Sequence, residues 1–313
     1  AREKKSLEFP DDSLKYSMPS WLIDMWRADY PNETVRTMLS AFLEKSGLSV
    51  RCNLSRNDKK SIINSLKDQG ALVRESEYSD GILYLDGIDH LEALEAFREG
   101  WIQVQDLSSS LVAPAAAPGE GQYCIDVCAA PGGKSLHMAD LVGERGRVEA
   151  RDLTESKAAL IEENVRRSGF DNITVRVMDA LIYDEESAEK ADILLADLPC
   201  SGLGIAGRKP EIKYRVTPES IRELAELQRR ILSVVWRYVK PGGTLAYSTC
   251  TVSRQENEDN AAWFVREYPF RPVNIEQRFH EKLRSETMKR GYVQLLPGSY
   301  PGDGFFLAVF ERV

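Results

Sequence analysis

The sequence has 313 residues, a formal net charge of −8, 29% charged residues and 42% hydrophobic residues. These proportions are typical of a globular protein with room for one large domain and a smaller one. The acidic balance argues against a surface that is basic throughout for nucleic acid, although it is compatible with a local basic groove. No apolar run approaches the ~20 residues of a membrane span. No apolar core follows the charged start at 1–5, so we expect no secretion signal there.

The first third of the chain predicts a small α+β domain over residues 1–105. Apolar residues at helical spacing and strand-like runs alternate within it. Trp21 and Trp26 are predicted to form core between two domains rather than a platform on which bases stack. The predicted elements are helices at 11–30, 32–47, 58–69 and 91–99, and strands at 48–52 and 82–85.

From residue 106 onward the pattern predicts a second domain, over residues 106–313. It begins with a helix at 107–117, and strands and helices then alternate, which is typical of a parallel sheet with crossover helices. Two closely spaced strands in the tail predict an antiparallel hairpin. The predicted strands are 123–128, 147–151, 173–178, 193–197, 244–247, 292–296 and 305–310, and the helices are 134–141, 155–168 and 218–239.

A glycine turn joins the first of these strands to the next helix. Gly132 and Gly133 allow a ligand close to the backbone, and the helix start adds N–H donors. The segment matches neither the dinucleotide nor the nucleotide-phosphate fingerprint. Many α/β turns use glycine for structural reasons alone, so the turn by itself does not decide between a structural and a binding role.

Three aspartates at the ends of successive strands make the binding role stronger. Asp152, Asp179 and Asp197 follow the second, third and fourth predicted strands. A single aspartate in such a place usually caps a helix or a turn. Three of them beside a glycine turn favour a nucleoside-type ligand, because ligands of open α/β sheets bind at the carboxyl ends of the strands.

Two cysteines also follow buried strands. Cys200 comes just after the apolar run 193–196, and Cys250 comes just after 244–247. Two thiols at one edge of the sheet suggest covalent chemistry, but they are also compatible with a redox couple. The number of cysteines is odd, and they lack metal-ligand spacing, which predicts reduced thiols, no metal and a cytoplasmic protein. The five are Cys52, Cys124, Cys128, Cys200 and Cys250.

Three segments resemble the signature motifs of a known family. They are CAAPGGK at 128–134, DLPCSGLG at 197–204 and YSTCTVSRQENE at 247–258. These are similar to the motifs of RNA (cytosine-C5) methyltransferases of the Nol/Nop/Sun group, and most of all to the bacterial Sun/Fmu type that methylates 16S rRNA. Shorter matches lie at 16–22, 100–106, 208–214 and 303–306. Such enzymes usually carry a further helical RNA-binding domain, which this sequence does not contain.

The resemblance implies a Rossmann-like methyltransferase fold with a mostly parallel, seven-stranded sheet, an accessory RNA-binding domain before it, and S-adenosylmethionine as cofactor. It places Asp152 at the ribose, Asp179 near the adenine and Asp197 near the methionine end. The implied cofactor loop consists of Cys128, Ala129, Ala130, Pro131, Gly132, Gly133 and Lys134.

The resemblance also implies roles for the thiols. Cys250 is the implied nucleophile and Cys200 assists product release. Lys134 is expected to supply positive charge that favours the Cys250 thiolate, and Asp197 to hydrogen-bond the base. Either Cys200 or Asp197 could accept the C5 proton, and the sequence does not choose between them.

A basic segment at 207–215 follows the second motif. A solvated loop would explain it, but its position favours a grip on RNA phosphates. Tyr214 stands where these enzymes often have Trp, a change that preserves stacking. The candidate RNA contacts are Arg208, Lys209, Lys213, Tyr214 and Arg215.

The predicted function is methyl transfer from S-adenosylmethionine to C5 of a cytosine in RNA, with 16S rRNA as the favoured target. The same chemistry on transfer RNA or 23S rRNA is one alternative. A catalytically silent RNA-binding scaffold is another, and a small-molecule methyltransferase is a weaker third. We expect a cytoplasmic monomer with no membrane and no metal partner.

Overall fold

A computed structural model describes residues 9–44 and 47–313. Its smaller sheet has four antiparallel strands in the order β2-β3-β1-β4. The edge strands β2 and β4 were not predicted, and the helix predicted at 91–99 is interrupted, with only its second half forming α5. The elements are β1 (Leu48–Cys52), α4 (Lys59–Asp68), β2 (Leu72–Glu75), β3 (Ile82–Asp86), α5 (Glu95–Arg98) and β4 (Ile102–Val104).

Three helices precede this sheet: α1 (Asp12–Tyr16), α2 (Ser20–Asp29) and α3 (Asn32–Ala41). They share an apolar core with side chains from the second half of the chain, including Leu203 and Val252. The indole nitrogen of Trp26 donates to the carbonyl of Val252 at 2.9 Å. The buried Trp26 therefore forms core between distant segments, as predicted, and Trp21 packs against the same cluster.

Helix α3 is shorter than the predicted helix at 32–47. It ends at Ala41, and the chain turns at Phe42 so that this ring packs 5.8 Å from the ring of Trp26. Residues 45 and 46 of the predicted helix lie outside the described residues.

The larger sheet confirms the predicted α/β class. Seven strands lie in the order β10-β12-β9-β8-β5-β6-β7, and β11 adds an eighth beside β12. The strands β9, β8, β5, β6 and β7 are parallel, whereas β12 runs antiparallel to β9. The bounds are β5 (Tyr123–Asp126), β6 (Arg147–Asp152), β7 (Ile173–Val177), β8 (Ala191–Asp197), β9 (Val239–Thr249), β10 (Phe270–Pro272), β11 (Tyr292–Leu295) and β12 (Phe305–Arg312).

The helices of this part begin and end near their predicted bounds. The predicted helix at 107–117 is two short helices, and the one predicted at 218–239 ends at Val235, because a tighter turn leads directly into β9. Helix α12 was not predicted. The bounds are α6 (Leu107–Ser110), α7 (Val112–Ala116), α8 (Gly133–Val142), α9 (Glu155–Ser168), α10 (Ile212–Arg215), α11 (Pro218–Val235), α12 (Glu258–Glu267) and α13 (Glu286–Lys289).

Apolar layers cover both faces of the large sheet. Along β8, Ile193 and Leu195 enter the layer that contains α7 and α8, while Leu194 and Ala196 enter the layer that contains α11 and α12. This alternation is the two-residue period of a strand buried on both faces. None of the helices within 9–44 and 47–313 is long and apolar enough to cross a bilayer.

Helix α8 connects the two sheets. The Asp140 carboxylate, near its end, accepts the backbone N–H groups of Leu54 and Ser55 at 3.1 and 2.9 Å. Arg51 on β1 is buried, lies 3.7 Å from the same carboxylate and donates to Gln105. The start of this helix lies in the glycine turn, so one element touches both the small sheet and the candidate site.

Candidate active site

The carboxyl ends of neighbouring strands bring the predicted residues to one edge of the large sheet. Asp126 at the end of β5 pairs with Leu195 on one side and Ala150 on the other. Asp197 at the end of β8 pairs with Ser248 on β9. The predicted strand-end carboxylates therefore share an edge with the glycine turn and with both thiols.

The glycine turn has the backbone that its sequence requires. Gly132 has a φ of +103°, and α8 starts at the next residue. A Cβ at Gly132 would also lie 3.3 Å from Cγ2 of Ile161. The position thus needs glycine for conformation and for space. The N–H of Ala130 donates to Asp152 at 2.9 Å and so fastens the turn to the end of β6.

Asp152 and Asp179 lie where the sequence predicted, but their surroundings differ. Asp152 is buried and also accepts from the N–H of Leu153 at 2.8 Å and from Lys157 at 3.0 Å. Asp179 accepts from the N–H of Leu181 at 2.9 Å. Asp152 therefore holds the turn in shape in addition to any ligand contact, while Asp179 has only this short backbone contact.

Asp126 is a site residue that the sequence analysis missed. Its Oδ2 accepts from the Ser135 hydroxyl at 2.6 Å, whereas its buried Oδ1 has no hydrogen-bond partner in the part of the chain that the structure describes. Burial raises the pKa of this carboxyl to about 7 despite the hydrogen bond from Ser135. An unpartnered buried carboxylate oxygen fits a cationic group such as the α-ammonium of S-adenosylmethionine. The strand-end criterion used for the other three aspartates would have found it.

Lys134 and Asp197 form a close pair in the centre of the site. Lys134 Nζ lies 2.6 Å from Asp197 Oδ2, and the Ser248 hydroxyl donates to Oδ1 at 2.6 Å. Burial lowers the pKa of Lys134, but Asp197 more than offsets this and leaves it raised. The ammonium therefore stays charged beside the thiols.

The two thiols are in direct contact. Their sulfur atoms lie 3.4 Å apart, within hydrogen-bonding distance for sulfur. The hydrogen bond with Cys200 is the largest cause of a lowered pKa for Cys250. Burial and the Asp197 carboxylate oppose it, and the Lys134 ammonium acts in the same direction as the hydrogen bond. The same hydrogen bond, together with burial, raises the pKa of Cys200. The contact therefore favours the thiolate form of Cys250 over that of Cys200.

The remaining cysteines have thiols that burial makes harder to ionise. Burial raises the pKa of Cys52 to about 11 and also raises the pKa of Cys124 and Cys128. Among the five, only Cys250 has a lowered thiol pKa. Reactivity is thus confined to the edge of the sheet.

The segment after Cys200 is fastened to the segment around Cys250. Leu198 N–H donates to the carbonyl of Ser248 at 3.0 Å, and Gly204 N–H donates to that of Cys250 at 3.1 Å. A Cβ at Gly204 would overlap the carbonyl oxygen of Gly304. This close approach of three chain segments holds the two sulfur atoms at a set separation.

The basic segment requires a correction. Arg208 does not face solvent as a free cation, because it is paired with Asp106 at 2.7 Å and Asp303 at 2.8 Å. Lys213 is buried, so it too is unsuited to a surface phosphate. Arg208 is exposed although it is ion-paired, and the other exposed basic or aromatic residues of the segment are Lys209, Tyr214 and Arg215. The sequence could not show this, since both partners of Arg208 lie about a hundred residues away.

This combination of glycine turn, strand-end carboxylates and paired thiols can be compared with known proteins. A family model described as 16S rRNA methyltransferase RsmB/F matches residues 113–311. The chain belongs to this family. A second model, described as the ferredoxin-like domain of RsmF/B-like methyltransferases, matches residues 18–89. The predicted family is confirmed, and the fold is that of S-adenosylmethionine-dependent methyltransferases.

Individual relatives agree with the RsmB/F family. The probable ribosomal RNA small subunit methyltransferase B of Bacillus subtilis is 36% identical over 95% of this chain and 66% of its own length. The ribosomal RNA small subunit methyltransferase B of Salmonella paratyphi B is 32% identical over 98% and 70%. A solved methyltransferase homologue from Pyrococcus horikoshii is 25% identical, with a TM-score of 0.81 over 98% of this chain and all (100%) of that one. The chain thus spans about two thirds of these curated relatives.

Proposed function

We propose that this protein transfers a methyl group to C5 of a cytosine in the RNA of the small ribosomal subunit. One observation carries the proposal: two thiols in contact, one polarised toward the thiolate, lie beside a Lys–Asp pair at the edge that bears the glycine turn. A methyltransferase for oxygen or nitrogen atoms has no need of such a thiol pair. A silent scaffold has no need of a polarised thiol either.

The cofactor of this fold fits the residues at the edge. S-adenosylmethionine supplies an electrophilic methyl group. Asp126 offers the ammonium end an Oδ1 that has no hydrogen-bond partner among the described residues, and α8 begins directly after Gly132. Asp152 and Asp179 are proposed for the ribose and the adenine. The remaining loop residues, from Cys128 to Pro131, would line the cofactor through their backbone.

Cys250 is the proposed nucleophile. C5 of cytosine is a weak nucleophile, and addition of the Cys250 thiolate to C6 moves the C5–C6 electron pair onto C5, which can then take the methyl group. The Lys134 ammonium supports the thiolate before attack. Asp197 keeps Lys134 in place and presents its two carboxylate oxygens toward the base. Each of these oxygens already accepts one hydrogen bond.

Cys200 is the proposed group for release. The hydrogen bond to the Cys250 thiolate is the largest cause of its raised pKa. Once Cys250 is a thioether this cause is gone, and Cys200 can lose its proton to solvent and then accept the proton on C5. The C5–C6 double bond re-forms and the Cys250 sulfur leaves as a thiolate. Both oxygens of Asp197 are engaged, which makes it the poorer acceptor.

The RNA target rests on the names of the relatives, which are small-subunit rRNA methyltransferases. We propose residues 1–105 as the accessory RNA-binding domain and 106–313 as the catalytic domain. Lys209 and Arg215 are the proposed phosphate contacts, and the exposed ring of Tyr214 is a proposed stacking surface. We also propose a cytoplasmic monomer.

A denaturing gel tests the chemistry. Wild type, Cys200→Ala and Cys250→Ala are incubated with S-adenosylmethionine and unmethylated 16S rRNA, 23S rRNA or transfer RNA. We expect Cys200→Ala to accumulate a covalent protein–RNA adduct, and Cys250→Ala to form none. An adduct that persists without Cys250 contradicts the nucleophile, and an adduct confined to 23S rRNA or transfer RNA contradicts the target.

A further inference from the structure

A buried glutamate lies behind the thiol pair. Glu256 is fully buried, at 0% exposure, and no lysine or arginine within residues 9–44 and 47–313 forms an ion pair with it. Burial raises its pKa, although hydrogen bonds from Ser201 act in the opposite direction. A buried carboxylate without a cationic partner is destabilising unless its hydrogen bonds compensate for the solvation that it loses.

Those hydrogen bonds converge on the segment that carries Cys200. Glu256 Oε1 accepts from the N–H of Ser201 at 2.8 Å and from Gln228 at 3.2 Å. Oε2 accepts from the Ser201 hydroxyl at 2.5 Å. Gln228 in turn donates to the carbonyl of Pro199 at 2.9 Å. The residues on both sides of Cys200 are therefore held by one carboxylate and its neighbour.

The same carboxylate reaches the segment of Cys250 through a hydroxyl. The Ser201 and Thr251 hydroxyl oxygens lie 2.7 Å apart. Because Ser201 donates its proton to Glu256, Thr251 must be the donor to Ser201. The directed chain Thr251 to Ser201 to Glu256 therefore joins the residues that follow the two cysteines.

Charge around the thiols is arranged asymmetrically. The negative charge of Glu256 acts on Cys200, while Cys250 faces both members of the ion pair of Asp197 and Lys134, whose charges act in opposite directions. We propose that Glu256 is a positioning residue that keeps the shared thiol proton on Cys200, holds both sulfur atoms in register, and so leaves Cys250 as the thiolate. The role in catalysis rests on the proposed function, whereas the placement of the proton does not.

Other titratable and charged side chains lie near the two thiols and must not be substituted in a test of Glu256. The titratable and charged groups are Lys134 and Asp197, which act on Cys250, and Tyr247 and Arg229. Arg229 acts on Tyr247, as do Glu256 and Cys200. All four are unchanged in the variants below. A change in thiol reactivity on substitution of Glu256 is then attributable to that carboxylate.

The test is the pH dependence of iodoacetamide labelling of Cys200 in the full chain, without RNA or S-adenosylmethionine. The parent is Cys250→Ala, and labelling is followed by mass spectrometry of the Cys200 peptide. Glu256→Gln removes the charge with little change in shape. We expect its labelling midpoint to fall by at least about one pH unit, the effect of one nearby charge in a poorly solvated site.

Two further variants separate charge from structure. Glu258→Gln removes a nearby carboxylate that makes no hydrogen bond to either thiol segment, and should leave the midpoint unchanged. Glu256→Asp keeps the charge but shortens the reach to Ser201. It should leave the midpoint near the parent, and in the background that retains Cys250 it should lower kcat with little change in KM.

A common midpoint for the parent and Glu256→Gln would overturn the proposal. So would a shift of equal size in Glu258→Gln. If Glu256→Gln does not fold, Glu256→Asp carries the test, and a midpoint displaced by about one pH unit despite the retained charge overturns it. The labelling needs no substrate. A shifted midpoint, combined with absence of methyltransferase activity in the chain that retains Cys250, therefore contradicts only the proposed function.

Discussion

The edge of the large sheet and the basic segment at 207–215 both stood out in the sequence as functional, and the structure treats them differently. At the edge, predicted groups lie in pairs, with Lys134 2.6 Å from Asp197 and the sulfur atoms 3.4 Å apart. In the basic segment, Arg208 is paired internally and Lys213 is buried. Parallel strands place the residues at their ends along one edge of the sheet. Whether a basic side chain in a loop is free or ion-paired depends instead on residues far away in the sequence.

The comparison predicts that changes at the edge abolish chemistry while changes in the segment only adjust affinity. The largest effect is expected for Cys250→Ala, which should lower single-turnover methyl transfer by at least about a thousandfold, because no other thiol has a lowered pKa. Cys128→Ala is the matched control, since that thiol is buried and its pKa is raised. Equal losses in the two variants would show that the thiol pair has no special role.

Asp197→Asn should follow, with about a hundredfold lower kcat. The amide leaves the Lys134 ammonium buried without its anionic partner. Asp179→Asn, at the same edge but bonded only to a backbone N–H, should raise the KM for S-adenosylmethionine and preserve kcat. Steady-state kinetics with both substrates distinguishes the two, and a kcat loss in Asp179→Asn alone would reverse the assignment.

A pH effect on cofactor binding is expected from Asp126. Its pKa is about 7 because of burial, so the carboxylate that would pair with the ammonium is lost as the pH falls through 7. The dissociation constant of S-adenosylmethionine should rise by up to about tenfold for each pH unit below that point. Titration calorimetry measures this, and Asp126→Asn should bind weakly at every pH. Equal affinity at pH 5.5 and pH 8 would contradict the contact.

The smallest effects are expected in the basic segment, where one substitution should lower stability and another should lower RNA affinity. Arg208→Ala leaves Asp106 and Asp303 without their cation, so it should lower the free energy of unfolding by about 1–2 kcal/mol. Lys209→Ala should leave stability unchanged, weaken RNA binding a few-fold and reduce its salt dependence by about one counterion. Melting curves and filter binding at several salt concentrations separate them. Reversed outcomes would restore Arg208 as an RNA contact.

Much of the site was accessible from the sequence because its groups sit at strand ends. The same principle also covered Asp126, which went unnoticed because only the three later aspartates were considered. The Glu256 network is of another kind. It joins Ser201, Thr251 and Gln228 across three elements, and no spacing in the chain indicates that these side chains meet.

The fold shows a similar division. Strands with buried apolar runs, such as β8, were found with nearly the right bounds. The edge strands β2, β4 and β10 were missed, because strands of three or four residues are too short for a readable pattern, whereas the longer edge strand β7 was found. The early end of α3 was missed because Phe42 turns away to pack on Trp26, a contact decided by tertiary structure rather than by helix propensity.

Helix α8 has a consequence for how this protein can be divided. Its first residues shape the cofactor turn, and Asp140 near its end caps the loop of the small sheet. A cut near residue 105 would strip two backbone N–H groups and the Arg51 guanidinium from that carboxylate. Chimeras that exchange the N-terminal domain between relatives must therefore transplant residues 51–55 and Asp140 as a matched set. The two parts of the chain can therefore be exchanged only with this contact intact, although each part has its own sheet.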